Sequence, residues 1–255
     1  MNRTLSTVAA LTAALSLAGC GSAAETTSTK GETTSAVVSG EEATATGSSD
    51  GQAEDVAEAG AELKVSDYGF TQLPKSDFAG PSVSYAVLVT NEGGAIATNA
   101  QVQISFEDKA GGVVDSQEDY LTAVLPGTSV ALGGVVIDAA GVEKMTVQVL
   151  PGDSEPLEGK QANFEVTKIR TKTQEYTGVK TTASVSSPFV KDVKDAMAVA
   201  VYRNAKGKII GGDSTFINFI PAGGKAAVSI DSFSQMKVPA KTEVYVALSG
   251  LSLLE

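Results

Sequence analysis

The chain has 255 residues with 30 acidic against 19 basic and a formal charge of −11, which excludes an ordinary nucleic-acid binder, because phosphate contact needs a concentrated basic surface. It has no His and one Cys, so it lacks the commonest general base and metal ligand, and its folded part can hold neither a disulfide nor a thiolate metal centre. Gly is abundant and the recurrent apolar residues are Val, Ala and Ile, which favours strands and turns; the expected class is all-β, with no enzymatic activity and no cofactor.

The first element is an export signal over residues 1–19. Asn2 and Arg3 precede the apolar stretch Leu5 to Leu17, too short for a comfortable membrane span but suited to a signal-peptide core. It ends in Leu17-Ala18-Gly19-Cys20. This ending resembles the lipobox of bacterial lipoproteins, and the resemblance implies diacylglycerol on the Cys20 thiol, cleavage before it, and a location at the cell membrane on the extracytoplasmic side. Each buried acyl methylene is worth about 0.8 kcal/mol, so two or three chains anchor durably where one would not. Gly21 follows Cys20, and no acidic residue stands there as an inner-membrane retention signal would require in a diderm envelope.

Residues 20–60 are the lipidated Cys and a tether of Ser, Thr, Ala, Gly and Glu, without aromatic residues or apolar periodicity. Such a segment cannot bury enough surface to offset the entropy of ordering, and it is expected to be disordered. About forty flexible residues have a root-mean-square span of roughly 35 Å and stretch to roughly 130 to 140 Å.

Beyond the tether an internal repeat of about 95 residues suits β-sandwich domains, expected at 61–154 and 160–255 and joined by a loop from Pro151 to Gly159. Ala100 to Glu107 matches Ala196 to Arg203, Gly111-Gly112-Val113-Val114 matches Gly207-Lys208-Ile209-Ile210, and Pro126-Gly127 matches Pro221-Ala222-Gly223. The apolar period is two: Tyr85, Val87 and Val89; Val102, Ile104 and Phe106; Ala198, Ala200 and Tyr202; Met145, Val147 and Val149; Val244, Val246 and Leu248. Each set is expected to line an inward face. Asp108-Lys109-Ala110-Gly111 and Asn204-Ala205-Lys206-Gly207 read as hairpin turns in which a polar residue opens the turn and Gly supplies positive φ. The spacing predicts two tandem immunoglobulin-like antiparallel sandwiches.

Tyr85 to Asn91, Phe106-Glu107-Asp108 with Gly111-Gly112-Val113-Val114, and Leu125-Pro126-Gly127 are similar to the FxLYD-type extracellular domains of prokaryotic lipoproteins. The resemblance covers roughly Ala61 to Leu150 and, more weakly, Asn163 to Leu254, where Ser187-Pro188 stands in place of Asn91 and Asn204 in place of Asp. It implies a binding or spacer role and transfers no catalytic residue.

Candidate chemistry is sparse. Ser234-Gln235-Met236-Lys237 has the spacing of a Ser-x-x-Lys nucleophile and base but lies between strand patterns, without the helix that chemistry needs. Asp115, Glu118, Asp119 and Asp138 offer oxygen ligands to a hard cation, in no fixed-loop spacing; Asp115, Gln117 and Asp119 alternate as a solvated outer strand face does, and that is the reading taken. Gly93-Gly94 and Gly133-Gly134 read as turns or bulges. Tyr68, Phe70, Phe78, Phe216 and Phe219 read as core rather than as a ligand groove. Lys168, Arg170 and Lys172 alternate along the first strand of the second copy, with Lys180 in the following loop, so the three can share one face; protection of a sheet edge is the commoner reading of such a row, and contact with an anionic wall polymer, lipid headgroups or the acidic first domain is the alternative. Charge is divided accordingly: −7 over Gly21 to Gly60, −9 over Ala61 to Lys160 and +4 over Gln161 to Glu255. The expected function is a membrane-anchored, non-enzymatic binding or spacer module of the envelope. The alternative is an accessory subunit that recognises a protein partner of an envelope enzyme or transporter.

Overall fold

The computed structural model describes residues 60–75, 80–157, 163–174, 178–232 and 237–249. The signal peptide, Cys20 and the tether up to residue 59 lie outside the described residues. Among the described residues every regular element is a strand. In chain order these are β1 (Leu63–Leu73), β2 (Ser82–Asn91), β3 (Ile96–Glu107), β4 (Val113–Val124), β5 (Ser129–Val136), β6 (Lys144–Leu150) and β7 (Asp153–Glu155), then β8 (Glu165–Gln174), β9 (Gly178–Ser186), β10 (Val193–Arg203), β11 (Ile209–Ile220), β12 (Lys225–Ser232) and β13 (Lys241–Ala247).

The first seven strands make one sandwich. Its sheets run β1-β2-β5 and β4-β3-β6, and β7 also pairs with β3. The next six repeat the plan as β12-β9-β8 and β11-β10-β13. All the pairings are antiparallel, and each copy joins its two sheets by the same crossings. The expected inward sets are the cores. Tyr85, Val87 and Val89 meet Val102, Ile104, Phe106 and Met145, with Val147 and Val149 against them. Ala198, Ala200 and Tyr202 meet Val179, Val185, Ile230 and Val244, with Val246 and Leu248 alongside. Phe106 is the hub of the first core, edge-on to Tyr85 at 5.4 Å and to Phe70 at 6.5 Å between ring centroids. A fully buried Val or Phe contributes about 1.5–3 kcal/mol.

The hairpins follow the residues that were expected to make them. Asp108 Oδ1 accepts the amides of Ala110 and Gly112, Asn204 Oδ1 accepts those of Lys206 and Lys208, and Gly111 and Gly207 take φ of 86° and 78°. Asn91, fully buried, ties one end of the first sandwich. Its Oδ1 accepts the Glu62 and Gly93 amides and its Nδ2 donates to the Ala95 and Val124 carbonyls. The Pro151 to Gly159 connection is not all loop, because Asp153–Glu155 adds to β3 at Ile96–Thr98.

The two sandwiches are stacked through their inner neighbours. Ala86 and Leu88 of β2 and Ala131 of β5 form a third buried cluster with Val199 and Val201 of β10 and Ile209 of β11. The sheets therefore follow the order β4-β3-β6, β1-β2-β5, β11-β10-β13, β12-β9-β8, and the middle two are covered on both faces. Small residues set the approach: a Cβ on Gly212 would stand 2.7 Å from the Ala200 carbonyl oxygen and 2.8 Å from the Ala86 Cβ, and one on Gly69 would collide with the Ile209 carbonyl.

Candidate functional site

The basic row lies on β8, an edge strand of the sheet at one end of the stack. Its alternation is interrupted. The register slips between Thr167 and Arg170, and Lys168 takes a φ of 55°. This is a bulge, in which an extra residue is left out of the ladder. Val166 and Ile169 both pack on the core, so Arg170 and Lys172 share the outward face while Lys168 sits at the kink. The expectation that all three alternate on one face is thus corrected to two.

Lys180 is not in a loop. It belongs to β9 and pairs directly with Lys172, while Arg170 pairs with Thr182. Like charges placed opposite one another in a sheet repel. Asp231 of β12, directly opposite Lys180, offsets part of this, with its Oδ1 3.1 Å from Lys180 Nζ. Lys225 and Ser186 continue the face at its far end. Among the described residues Lys168, Arg170 and Lys172 form no ion pair. The result is a Ser- and Thr-bearing surface on which Arg170, Lys172, Lys180 and Lys225 outnumber Asp231 and Glu165, the last in the row of Ser186 and Lys225. Lys225 belongs to it but is 55 residues downstream of Arg170, and only the sheet register reveals that.

The ion pair across the seam between the sandwiches belongs to other residues. Arg203 Nη1 bonds Asp67 Oδ2 at 2.6 Å and Nε bonds Glu243 Oε2 at 2.9 Å. Burial works against the Glu243 carboxylate, but the bonds from Lys241 and Arg203 outweigh it and hold its pKa below the usual range.

Asp115, Gln117 and Asp119 do not form an outer face. They pair with Phe106, Ile104 and Val102, so they share the core side of the sheet, half-buried at its open edge. Burial pushes the Asp119 carboxyl up. The Tyr85 phenol is driven well above its ordinary range by burial and by the carboxylates of Asp119, Asp213 and Asp115. Among the described residues no three acidic side chains are grouped to hold a metal ion.

The remaining candidates separate. Ser234, Gln235, Met236 and Phe78 lie outside the described residues. Phe70 is packed on the first core, whereas Tyr68, Phe216 and Phe219 are exposed, contrary to the core expectation for them. Gly133 lets β5 approach Val199 across the seam. Two open clefts border that seam. One, of about 320 Å³, is lined by Phe164, Val166, Phe189 and Val246, with Tyr245 as its one titratable side chain. The other, of about 330 Å³, is lined by Leu121, Leu132, Met197 and Phe216 beside Asp119 and Tyr120. Thr122 and Ser249 add hydroxyls to the second.

No family model matches the chain. No curated protein matches it. Among solved structures it is similar to the C-terminal globular domain of an oligosaccharyltransferase from Pyrococcus abyssi at 8% identity and a TM-score of 0.20. The likeness covers 72% of this chain and 45% of that one, and at that score it carries no argument.

Proposed function

We propose that the protein is a non-enzymatic lipoprotein of the cell envelope. Lipid on Cys20 holds it to the membrane, the tether carries it outward, and the stacked sandwiches present binding faces to the extracytoplasmic side. The observation that carries the reading is the stack itself. Its buried apolar residues gather into two cores and a seam, and Arg170 and Lys172 stand on an outward face. The FxLYD-like blocks and the Leu17-Ala18-Gly19-Cys20 ending support the same reading. The anionic partner of the basic face is a wall polymer, met by Arg170 and Lys172 with Lys168 beside them.

Cys20→Ser tests the anchor. The variant is expected to leave the membrane fraction and to lose labelling by an alkyne fatty acid, and membrane retention with undiminished labelling would overturn it.

A further inference from the structure

The outward face of the β4-β3-β6 sheet lies at the other end of the stack from the basic face. Its register places Tyr120, Gln101 and Leu150 in one cross-strand row and Glu118, Gln103 and Gln148 in the next. Tyr120 is 65% exposed, and its hydroxyl donates to Glu118 Oε1 at 2.7 Å. Residues two apart on a strand share a face with Cα atoms about 6.6 to 6.8 Å apart. To reach Glu118 the side chain must lean along the strand, and the ring stays open to solvent. The bond also holds the carboxylate in place and pushes the Tyr120 phenol up, so that the hydroxyl stays a donor.

We propose that this face is a platform for a neutral, hydroxyl-rich glycan. It deepens the binding-module reading and rests on it. A pyranose has an apolar C–H face, which suits the exposed ring, and a rim of hydroxyls. Each glutamine amide offers two donors and an acceptor to such a rim, and three of them stand beside the ring in adjacent rows. Charge selects against other occupants. Lys144 is taken by Glu107 at 2.9 Å, so among the described residues the face has no free cation to attract a polyanion, and Glu118 would repel one. A protein interface has an apolar, desolvated centre, whereas the centre of this face is Gln103 between Glu118 and Gln148.

Native electrophoresis of the full chain through gels containing hydroxyethylcellulose, a β-1,3-glucan or a mannan, with a poly(glycerol phosphate) gel alongside, tests this. At least one neutral polysaccharide is expected to retard the protein. Tyr120→Ala is expected to weaken that retardation about tenfold, the loss of one stacked ring, without lowering the melting temperature, and Lys172→Glu to leave it unchanged. The proposal is overturned if no neutral gel retards the protein, if Tyr120→Ala is retarded as strongly as the parent, or if Tyr120→Ala instead abolishes a self-association seen by ultracentrifugation, which would put a second copy on the face. Cys20→Ser reads the anchor separately, so either idea can fail alone.

Discussion

Arg203 leaves its own sandwich to bond Asp67 of the other. It reaches from the end of β10 to β1 while its second nitrogen holds Glu243 on β13. The Arg203 side chain is only 13% exposed and that of Asp67 41% exposed, so the bond is partly screened at one end and sheltered at the other. It sits at the rim of an apolar seam whose centre is Ala86, Leu88, Ala131, Val199 and Val201. The seam supplies adhesion and the ion pair fixes its register.

Removing that side chain tests the division of labour. Arg203→Ala is expected to destabilise the full chain by about 1 to 2 kcal/mol in urea unfolding, since charge-assisted bonds are lost but Asp67 can be hydrated. Arg203→Lys is expected to recover only part of this, because an ammonium cannot hold two carboxylates in a fixed fork. An unchanged midpoint for the alanine variant would mean that the pair contributes nothing to the seam.

Gly212, like Gly69, is a position where the seam tolerates no side chain. A Cβ there meets backbone on its own sheet and Ala86 on the other, so Gly212→Ala must push the sheets apart. The expected cost is about 1 to 3 kcal/mol, typical of overpacking, with a larger radius of gyration by small-angle scattering. Gly111→Ala, whose Cβ would meet nothing but whose φ is 86°, serves as the contrast: it strains a hairpin and is expected to leave the radius unchanged. Equal radii for the two variants would sink the idea.

Much of this architecture is legible in the residues. Tyr85, Val87 and Val89 announce an inward face because alternate apolar residues can satisfy only one side of a sheet, and Asp108 and Asn204 announce hairpins because each can cap two amides. The stacking was hidden for a physical reason. From Tyr85 to Val89, and from Ala196 to Tyr202, both parities are apolar, the pattern of a strand buried on both faces, yet nothing local says that β2 and β10 cover each other. The side taken by Asp115, Gln117 and Asp119 was equally hidden, since a period of two defines two faces without saying which is inside. Pairing with Val102 and Phe106 decides it. The bulge at Lys168 has no glycine to announce it.

Asp213 gives a pH dependence with a definite sign. Burial is the largest influence on it and raises its pKa above the ordinary 3.8, against lowering by the Ser214 amide and the Ser232 hydroxyl. A carboxyl whose folded pKa is raised binds protons more tightly when folded. Its charge therefore costs stability at neutral pH, and the cost fades as pH falls through the raised folded pKa toward 3.8. Asp213→Asn keeps an oxygen for the Ser214 amide and is expected to stabilise the protein at pH 7. The gain is expected to shrink as the solution is acidified toward pH 4, as read from urea midpoints at the two pH values. Glu243 has the opposite sign. Its lowered folded pKa contributes stability above the ordinary 4.5 that is lost as pH falls through the folded pKa, so acid destabilisation is expected to persist in Asp213→Asn. A gain that is the same at both pH values would show that the aspartate's charge is not what costs stability.

The basic face is tested by its geometry as well as by its charge. The bulge turns Lys168 aside and leaves Arg170 and Lys172 on one face with Lys180 directly opposite Lys172, so the three cations of the row are not equivalent. Binding of the full chain to immobilised poly(glycerol phosphate) is expected to weaken most in Arg170→Glu and Lys172→Glu, and less in Lys168→Glu. Salt distinguishes charge attraction from other contacts, because the Debye length falls from about 10 Å at 0.1 M to about 3 Å at 1 M. The parent protein is expected to lose most of its binding over that range, while the Arg170→Glu, Lys172→Glu double variant, already weak, is expected to show a flatter salt response. Lys180 supplies an internal control: it shares the face, but Asp231 neutralises it at 3.1 Å, so Lys180→Gln is expected to weaken binding less than Lys172→Gln does. Equal losses from Lys168, Lys172 and Lys180 would mean that the polymer responds to net charge alone, and that the outward face of this sheet is not where it binds.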